Sequence, residues 1–383
     1  MESRADKIFE NRISPNDKLS DLPNSAGLAL FADSQDIPIL LLTTANIRRT
    51  VRNKLAEQAE KSKKTDLKSI TAKIYYTICP CRFRLALMHY KAVKKIFASN
   101  YKDNITFVYP WYIRTDISEK IPFFSATKRL TFKNEEKILG PFPSQKIAAT
   151  FLDTLEDAFR LCRKSEFVNN PAQATSCPYL QMDACCGVCA GKISPENYQV
   201  IIKDAFEAGA NPAKTIEKLH ADMQIASKEL NFEKAAELKR KIEKLSTLKK
   251  QTYRWTSDLK KLKIVHIDKS AKIKQEGTKA KKQTFAVFVM NFSEIIDLGD
   301  FVIESVEKIS EGIENVLSKI RFPSENISDE TELVEKFSII SYFLYRTNPS
   351  GLWLRISDGF ERQRFQEAFC EKFNHEKKEK TNN

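Results

Sequence analysis

Two rhythms of apolar and polar positions divide this chain. Near the start, GLALFA and IPILLL are short apolar runs separated by the turn-rich Asp33-Ser34-Gln35-Asp36, which predicts a β-hairpin over 27–42. The polar residues 1–24 before it are expected to be loosely ordered. A basic helix is predicted from Asn46 to Ala59, with Asn46 as its N-cap, and the charged stretch 60–69 as a loop. KIYYTIC (73–79) reads as a strand and Phe83–Phe97 as an apolar-periodic helix. Strands are expected at 105–113 and around 130–134, and a turn at Gly140-Pro141-Phe142-Pro143 closes the unit. The order ββ-α-β-α-β-β describes a small mixed-sheet α/β domain over 24–144.

Further along, the helical period takes over. A helix is predicted from Gln145 to Cys162, leading into a cysteine-rich segment (145–209) that ends in a helix over Pro195–Gly209. Leu219, Met223, Ala226 and Leu230 then form one apolar stripe, and Phe232, Ala235, Ala236, Leu238, Ile242 and Leu245 form another. Asn231 between them suits an N-cap, so 210–250 reads as a helical hairpin. Residues 254–375 alternate strands and helices as a C-terminal α+β domain. The basic runs 270–283 and 375–383 within and after it are expected to be flexible, solvated surface. The fold class is α/β (α+β).

Composition narrows the partners. The 383 residues are 42% hydrophobic, enough for real cores, and the net charge of +13 favours an anionic partner, nucleic acid first. The charged N-terminal stretch lacks the apolar core of a signal peptide, and no apolar run is long enough to span a bilayer. The expectation is a cytoplasmic protein without a membrane partner.

Five of the eight cysteines fall between 162 and 189, a density unlike scattered core thiols. In a reducing compartment they do not read as a disulfide framework. Cys177, Cys185 and Cys189, spaced C-x7-C-x3-C, with Cys162 upstream, could supply four soft thiolate ligands. From spacing alone zinc and an iron–sulfur cluster stand level, and Cys186 is a bystander because adjacent residues rarely ligate one centre. Cys79, Cys81 and Cys370 are read as ordinary thiols.

The order of these pieces resembles a known family. A leucine-cysteine at a helix end, CPYLQMDACCGVCAGKISPENY and then MQIASKELNFEKAAELKRKI resemble the bacterial excinuclease subunit UvrC, with Gly191, Ser194 and Tyr198 in its G-x-x-S-x-x-x-Y segment. GPFPS (140–144) is similar to the junction after that family's first domain. The resemblance implies a four-iron, four-sulfur cluster on Cys162, Cys177, Cys185 and Cys189, with zinc as the alternative. It implies that the hairpin, a UVR motif, docks the UvrB-like helicase subunit through Leu230, Phe232, Glu233, Ala235 and Ala236. Phe232 is the expected anchor buried at a partner interface, with a place in the hairpin's own core as the alternative.

The family's first domain is a GIY-YIG nuclease, whose chemistry needs tyrosines, an arginine and a metal-holding glutamate. Laid on this chain, its positions fall on Ala29, Leu40, Leu42, Thr50 and His89. Losing every one implies a domain that keeps its fold without hydrolysis. The family's second nuclease and helix-hairpin-helix region are expected to be absent. Asp268, Asp297 and Asp300 are read as turn and strand-end aspartates. Arg48, Arg49, Arg52 and Lys54 on the first helix, with Lys61, Lys63 and Lys64 after it, could track DNA phosphates. The expected function is therefore a catalytically silent, DNA-associated scaffold of nucleotide excision repair. An active UvrC-type endonuclease, or a hairpin adaptor unrelated to repair, are the alternatives.

Overall fold

The computed structural model describes residues 5, 8–56, 66–130, 135–274, 281–320, 330–356 and 359–379. It contains three four-stranded antiparallel sheets. The first has the order β1-β4-β2-β3, from β1 (Asn11–Ile13), β2 (Gly27–Ala32), β3 (Pro38–Thr44) and β4 (Lys73–Ile78). The predicted hairpin forms, with Ala29 opposite Leu42 and Phe31 opposite Leu40. Glycine is required at 27, where a Cβ would lie 2.1 Å from the Thr77 carbonyl oxygen on β4. The stretch expected to be loose is built in: β1 pairs with β4, Leu22 is fully buried, and Phe9 packs on Tyr75. The apolar Phe9 and Leu22 were outvoted in the sequence by their polar neighbours.

Helices α1 (Ile47–Ala56), α2 (Leu67–Ile70) and α3 (Arg82–Ile96) complete this unit. Asn46 caps α1 by accepting from the Arg49 N–H at 2.9 Å. Asp66 caps the short α2, where a loop was expected. Lys61, Lys63 and Lys64 lie outside the described residues, as does most of the strand expected around 130–134.

The boundary at 144 is where sequence and structure part. Residues 105–110 are not strand, and β5 (Trp111–Asp116) belongs to a second sheet. That sheet has the order β6-β5-β7-β8, with β6 (Ser125–Thr127), β7 (Glu136–Phe142) and β8 (Ser257–Asp258). Gly140, Pro141 and Phe142 therefore end a strand instead of forming a turn, with a cis Gly140–Pro141 bond. Proline is tolerated at a strand's end, where no ladder donor is needed.

Against this sheet pack α4 (Gln145–Phe159), α7 (Pro195–Ala210) and the hairpin α8 (Pro212–Lys228) and α9 (Phe232–Ser246). Between α4 and α7 run the short α5 (Ser165–Asn169) and α6 (Pro178–Gln181). Helix α4 stops at Phe159, before Cys162, because Arg160 turns to φ 52°.

The third sheet has the order β11-β10-β9-β12, from β9 (Lys263–Lys274), β10 (Lys281–Asn291), β11 (Ile295–Val302) and β12 (Leu352–Ile356). Helices α10 (Val306–Lys319), α11 (Glu330–Leu344) and α12 (Arg362–Glu379) accompany it. The two basic runs expected to be flexible are largely regular: 270–274 and 281–283 are strand, and 375–379 continue α12. Residues 275–280 and 380–383 lie outside the described residues.

One core spans all three units. Phe83 of α3 is fully buried and meets His266, Phe288, Phe343 and Trp353 edge-on, with ring centroids 5.0–5.4 Å apart. His266 stacks on Trp353 at 3.6 Å; its Nδ1 lies 3.1 Å from the Leu352 carbonyl and its Nε2 has no hydrogen-bond partner among the described residues. Burial holds this imidazole neutral, pushing its pKa from 6.5 down to about 3. An unfolded chain would take up that proton first. Stability is thus expected to fall as pH drops from about 6.5 toward 3, and His266→Phe should flatten that part of a denaturation-against-pH curve. An unchanged acid limb in the variant would remove His266 from the account.

Candidate metal centre and partner surface

The cysteine segment is positioned by two left-handed turns. Arg160 (φ 52°) ends α4, and Asp183 (φ 51°) follows α6. They hold each other: the Arg160 guanidinium donates to the Asp183 carbonyl at 2.6 Å and to its carboxylate at 2.7 Å. The Arg160 carbonyl in turn accepts from the Cys186 N–H at 2.7 Å. Each member of the pair stands two residues before a candidate ligand, Cys162 and Cys185. Arg163 adds a second tie, lying 5.0 Å over the Tyr179 ring while pairing with Glu156 and Asp157 of α4.

Each cysteine sits at a break in regular structure, as ligands drawn from one short stretch must. Cys162 follows the end of α4, and its N–H donates to the buried Tyr198 hydroxyl at 3.3 Å. Cys177 stands immediately before α6, and Cys189 lies in a single 3-10 turn. That turn is bracketed by Gly187 (φ 72°) and Gly191 (φ 70°). Gly187 combines the left-handed backbone with a close approach, since a Cβ there would lie 2.7 Å from Lys192 Cδ.

All four thiols are buried, and Cys186 is half-buried. Burial first, then the neighbouring Cys189, Cys185 and Cys186, pushes the Cys162 thiol up to about 12. The Cys189 thiol is raised by burial and by Cys185 and Cys177. The sulfurs therefore share one neighbourhood. They do not meet at one point: among the described residues no three His, Cys, Asp or Glu side chains are grouped so that they could hold a metal ion.

The hairpin rests on the same turn of α4. Lys241 of α9 stands 3.7 Å over the Phe159 ring, and Lys244 donates to the Asp157 carbonyl at 3.2 Å. A cleft of about 930 Å3 runs between α9 and this turn, lined by Arg160, Asp183, Glu237 and Arg240 among others. Ile242 and Leu245 are buried as the apolar stripe requires. Toward the hairpin's tip the stripe leaves the core: Ile225, Leu230 and Phe232 are 54%, 71% and 64% exposed. Phe232 is thus no anchor within the fold. Glu233 and Ala236 are exposed and Ala235 half-exposed. Leu230 also adopts φ 59°, a left-handed conformation that costs a leucine roughly 1–2 kcal/mol.

The first unit places its five motif positions on an apolar sheet and two helices. Ala29 is fully buried, Leu40 and Leu42 are half-buried on β3, and the Thr50 hydroxyl is hydrogen-bonded to Thr44 at 2.6 Å. His89 is half-buried on α3, and burial lowers its pKa. Of the basic residues on α1, Arg48 is committed to the Leu22 carbonyl at 2.6 Å and Lys54 is half-buried, while Arg49 and Arg52 are exposed. Asp297 and Asp300 are on β11 and bind Arg84 of α3; the buried Asp268 on β9 accepts from Ser350 at 3.0 Å. No local pattern marks Arg84, Arg160 or Asp183, whose partners lie 213, 23 and 23 residues away.

No described helix is long and apolar enough to cross a membrane. Residues 109–208 match the family model of the UvrC/Cho excinuclease middle domain, and 213–248 match the UvrB/uvrC motif. Similar proteins include UvrABC system protein C of Campylobacter jejuni subsp. doylei, 30% identical over 40% of this chain and 24% of its own length. That of Ruminiclostridium cellulolyticum is 23% identical over 65% of this chain and 41% of its own. That of Methanothermobacter thermautotrophicus is 25% identical over 58% and 37%. The chain spans well under half the length of these curated relatives. No solved structure matches it. Two adjacent segments of this chain, 109–208 and 213–248, thus carry the UvrC/Cho middle-domain pattern and the UvrB/UvrC motif that follows it.

Proposed function

We propose that this chain is a scaffold of nucleotide excision repair that associates with DNA and docks a UvrB-like helicase subunit through its hairpin. The observation that carries the reading is the hairpin tip. Leu230 bears a backbone strain and keeps its side chain in water, beside an exposed Phe232. The left-handed backbone lets the Asn231 N–H close α8 on the Ala226 carbonyl at 2.8 Å, but the exposed side chains add nothing to the free chain, and exposed apolar groups set among polar ones mark an interaction surface. Glu233, Ala235 and Ala236 extend that surface along the first turn of α9.

The cysteines support a four-iron, four-sulfur cluster. Four buried thiols drawn from one short stretch of chain suit soft-metal ligation. Cys162, Cys177, Cys185 and Cys189 would hold it, giving up their protons on binding. The cluster would supply a cross-link between segments that have little core of their own. Tyr198 orients Cys162, and the Arg160–Asp183 pair fixes the distance between the two arms of the loop.

The first domain supports DNA holding without hydrolysis. Ala29 and Leu40 stand where a GIY-YIG nuclease carries its tyrosines, Leu42 stands where it carries a glycine, and Thr50 spends its hydroxyl on Thr44. Arg49 and Arg52 remain as exposed phosphate contacts.

Three outcomes are expected. In a magnesium- or manganese-dependent nicking assay on damaged duplex the protein should make no incision, and His89→Ala should change nothing; incision abolished by that substitution would restore a nuclease. Leu230→Gly should leave the unfolding midpoint unchanged or raise stability by about 1 kcal/mol. The same variant should weaken capture of a UvrB-type subunit by about tenfold or more, which is about 1.4 kcal/mol; equal capture by both forms argues against the tip. Anaerobic purification should yield a coloured protein with iron and sulfide, lost in Cys177→Ser, whereas a colourless protein with stoichiometric zinc refutes the cluster.

A further inference from the structure

The lysine-rich end of β9 and the lysine-rich start of β10 form a built element. Strand β12 pairs with β9 only over Lys263–Ile267, and β11 pairs with β10 only from Thr284 onward. Beyond both, Lys272–Lys274 and Lys281–Gln283 pair with each other alone, as a two-stranded ribbon leaving the sheet. Its base is stitched where the ladder shifts register. The Gln283 amide donates to the carbonyls of Ser270 and Thr284 at 2.7 and 2.9 Å, and the Thr284 hydroxyl donates to that of Ala271 at 2.6 Å. Such a bulge fixes the direction in which the ribbon twists away.

The register sorts the ribbon's charges. Lys281 lies directly opposite Lys274, and Gln283 opposite Lys272, so Lys272, Lys274 and Lys281 share one face. All three are exposed. Lys282, opposite Ile273, belongs to the other face and is paired with Glu304 at 3.0 Å. Like charges directly opposite on a ladder destabilise it. The Lys274–Lys281 pair is thus a cost to the free chain that an anion between them would turn into a gain. Lysines two apart on a strand stand about 7 Å from each other, a spacing at which separate phosphates can be met.

We infer that this ribbon lays Lys272, Lys274 and Lys281 against the phosphate backbone of duplex DNA. The inference rests on the DNA association proposed above and assigns it a contact outside the first domain. A two-stranded ribbon is also of a size that a major groove, about 12 Å wide, admits. An anionic membrane is the weaker occupant, because the opposite face offers Ile273 beside an ion pair and so has no apolar stripe to insert.

The test measures binding of the full chain to a labelled duplex by fluorescence anisotropy across a salt series. The variant Lys272→Ala/Lys274→Ala/Lys281→Ala should bind about tenfold or more weakly at low salt. Its slope of log K against log salt should be shallower by about 2.7, three contacts at about 0.9 each. Replacing the three lysines by arginine should restore both. Removing equal charge at Lys218, Lys228 and Lys239 of the hairpin should leave the slope near that of the unaltered chain. Unaltered duplex binding by the alanine variant overturns the ribbon contact and leaves the DNA association standing. A parent chain with no low-salt affinity for duplex overturns both. Loss of binding to phosphatidylserine vesicles alone, with duplex binding intact, assigns the ribbon to a membrane and also overturns the proposal.

Discussion

The arrangement of the molecule depends on two adjacent residues at the start of α3. Phe83 enters an aromatic box formed by the C-terminal sheet and α11, and Arg84 beside it clasps two carboxylates of β11. The guanidinium binds Asp297 through two nitrogens at 2.6 and 2.8 Å and Asp300 through a third at 2.7 Å. This planar, forked match is one that lysine could not make. Farther along, Tyr90 and Tyr101 donate to the fully buried Glu335, and Lys94 pairs with Glu332, so that α3 and the segment after it grip α11. Helix α3 thereby joins the first sheet to the last.

A second dependence runs through the C-terminal turn of α4. That turn carries Phe159, on which Lys241 of the hairpin stands, and Arg160, which holds the cysteine loop by backbone and side chain together. The UvrB/UvrC motif and the candidate metal centre therefore share a footing only a few residues long. The buried Tyr198 on α7 completes it by accepting from Cys162. Disturbing the cysteine loop would reach the hairpin by contact alone, without any long-range path.

Two exposed elements carry a local cost, the left-handed Leu230 and the opposed Lys274 and Lys281. They lie on different units and differ in chemistry: one presents an apolar side chain, the other concentrated positive charge.

The sequence by itself determined whatever depends on short-range pattern. The hairpin over 27–42, the Asn46 and Asn231 caps, the helical pair around the UvrB/UvrC motif and the grouping of cysteines are all local in origin. Periodicity, capping residues and spacing act over a few positions and need no tertiary partner. Tertiary structure alone decided where strands join. Residues 111–116 and 136–142 read as the end of the first domain until Ser257 and Asp258, more than a hundred residues on, are seen to extend their sheet. It also decided that the lysine-rich run is a ribbon, because cross-strand pairing and the bulge at Gln283 outweigh a composition that locally favours solvent. The partners of Arg84 and Arg160 were invisible for the same reason: an ion pair has no period along the chain. For the cysteines, the sequence marked four thiols and the fold buried them in one neighbourhood, since only packing can bring chain segments together and exclude water from them.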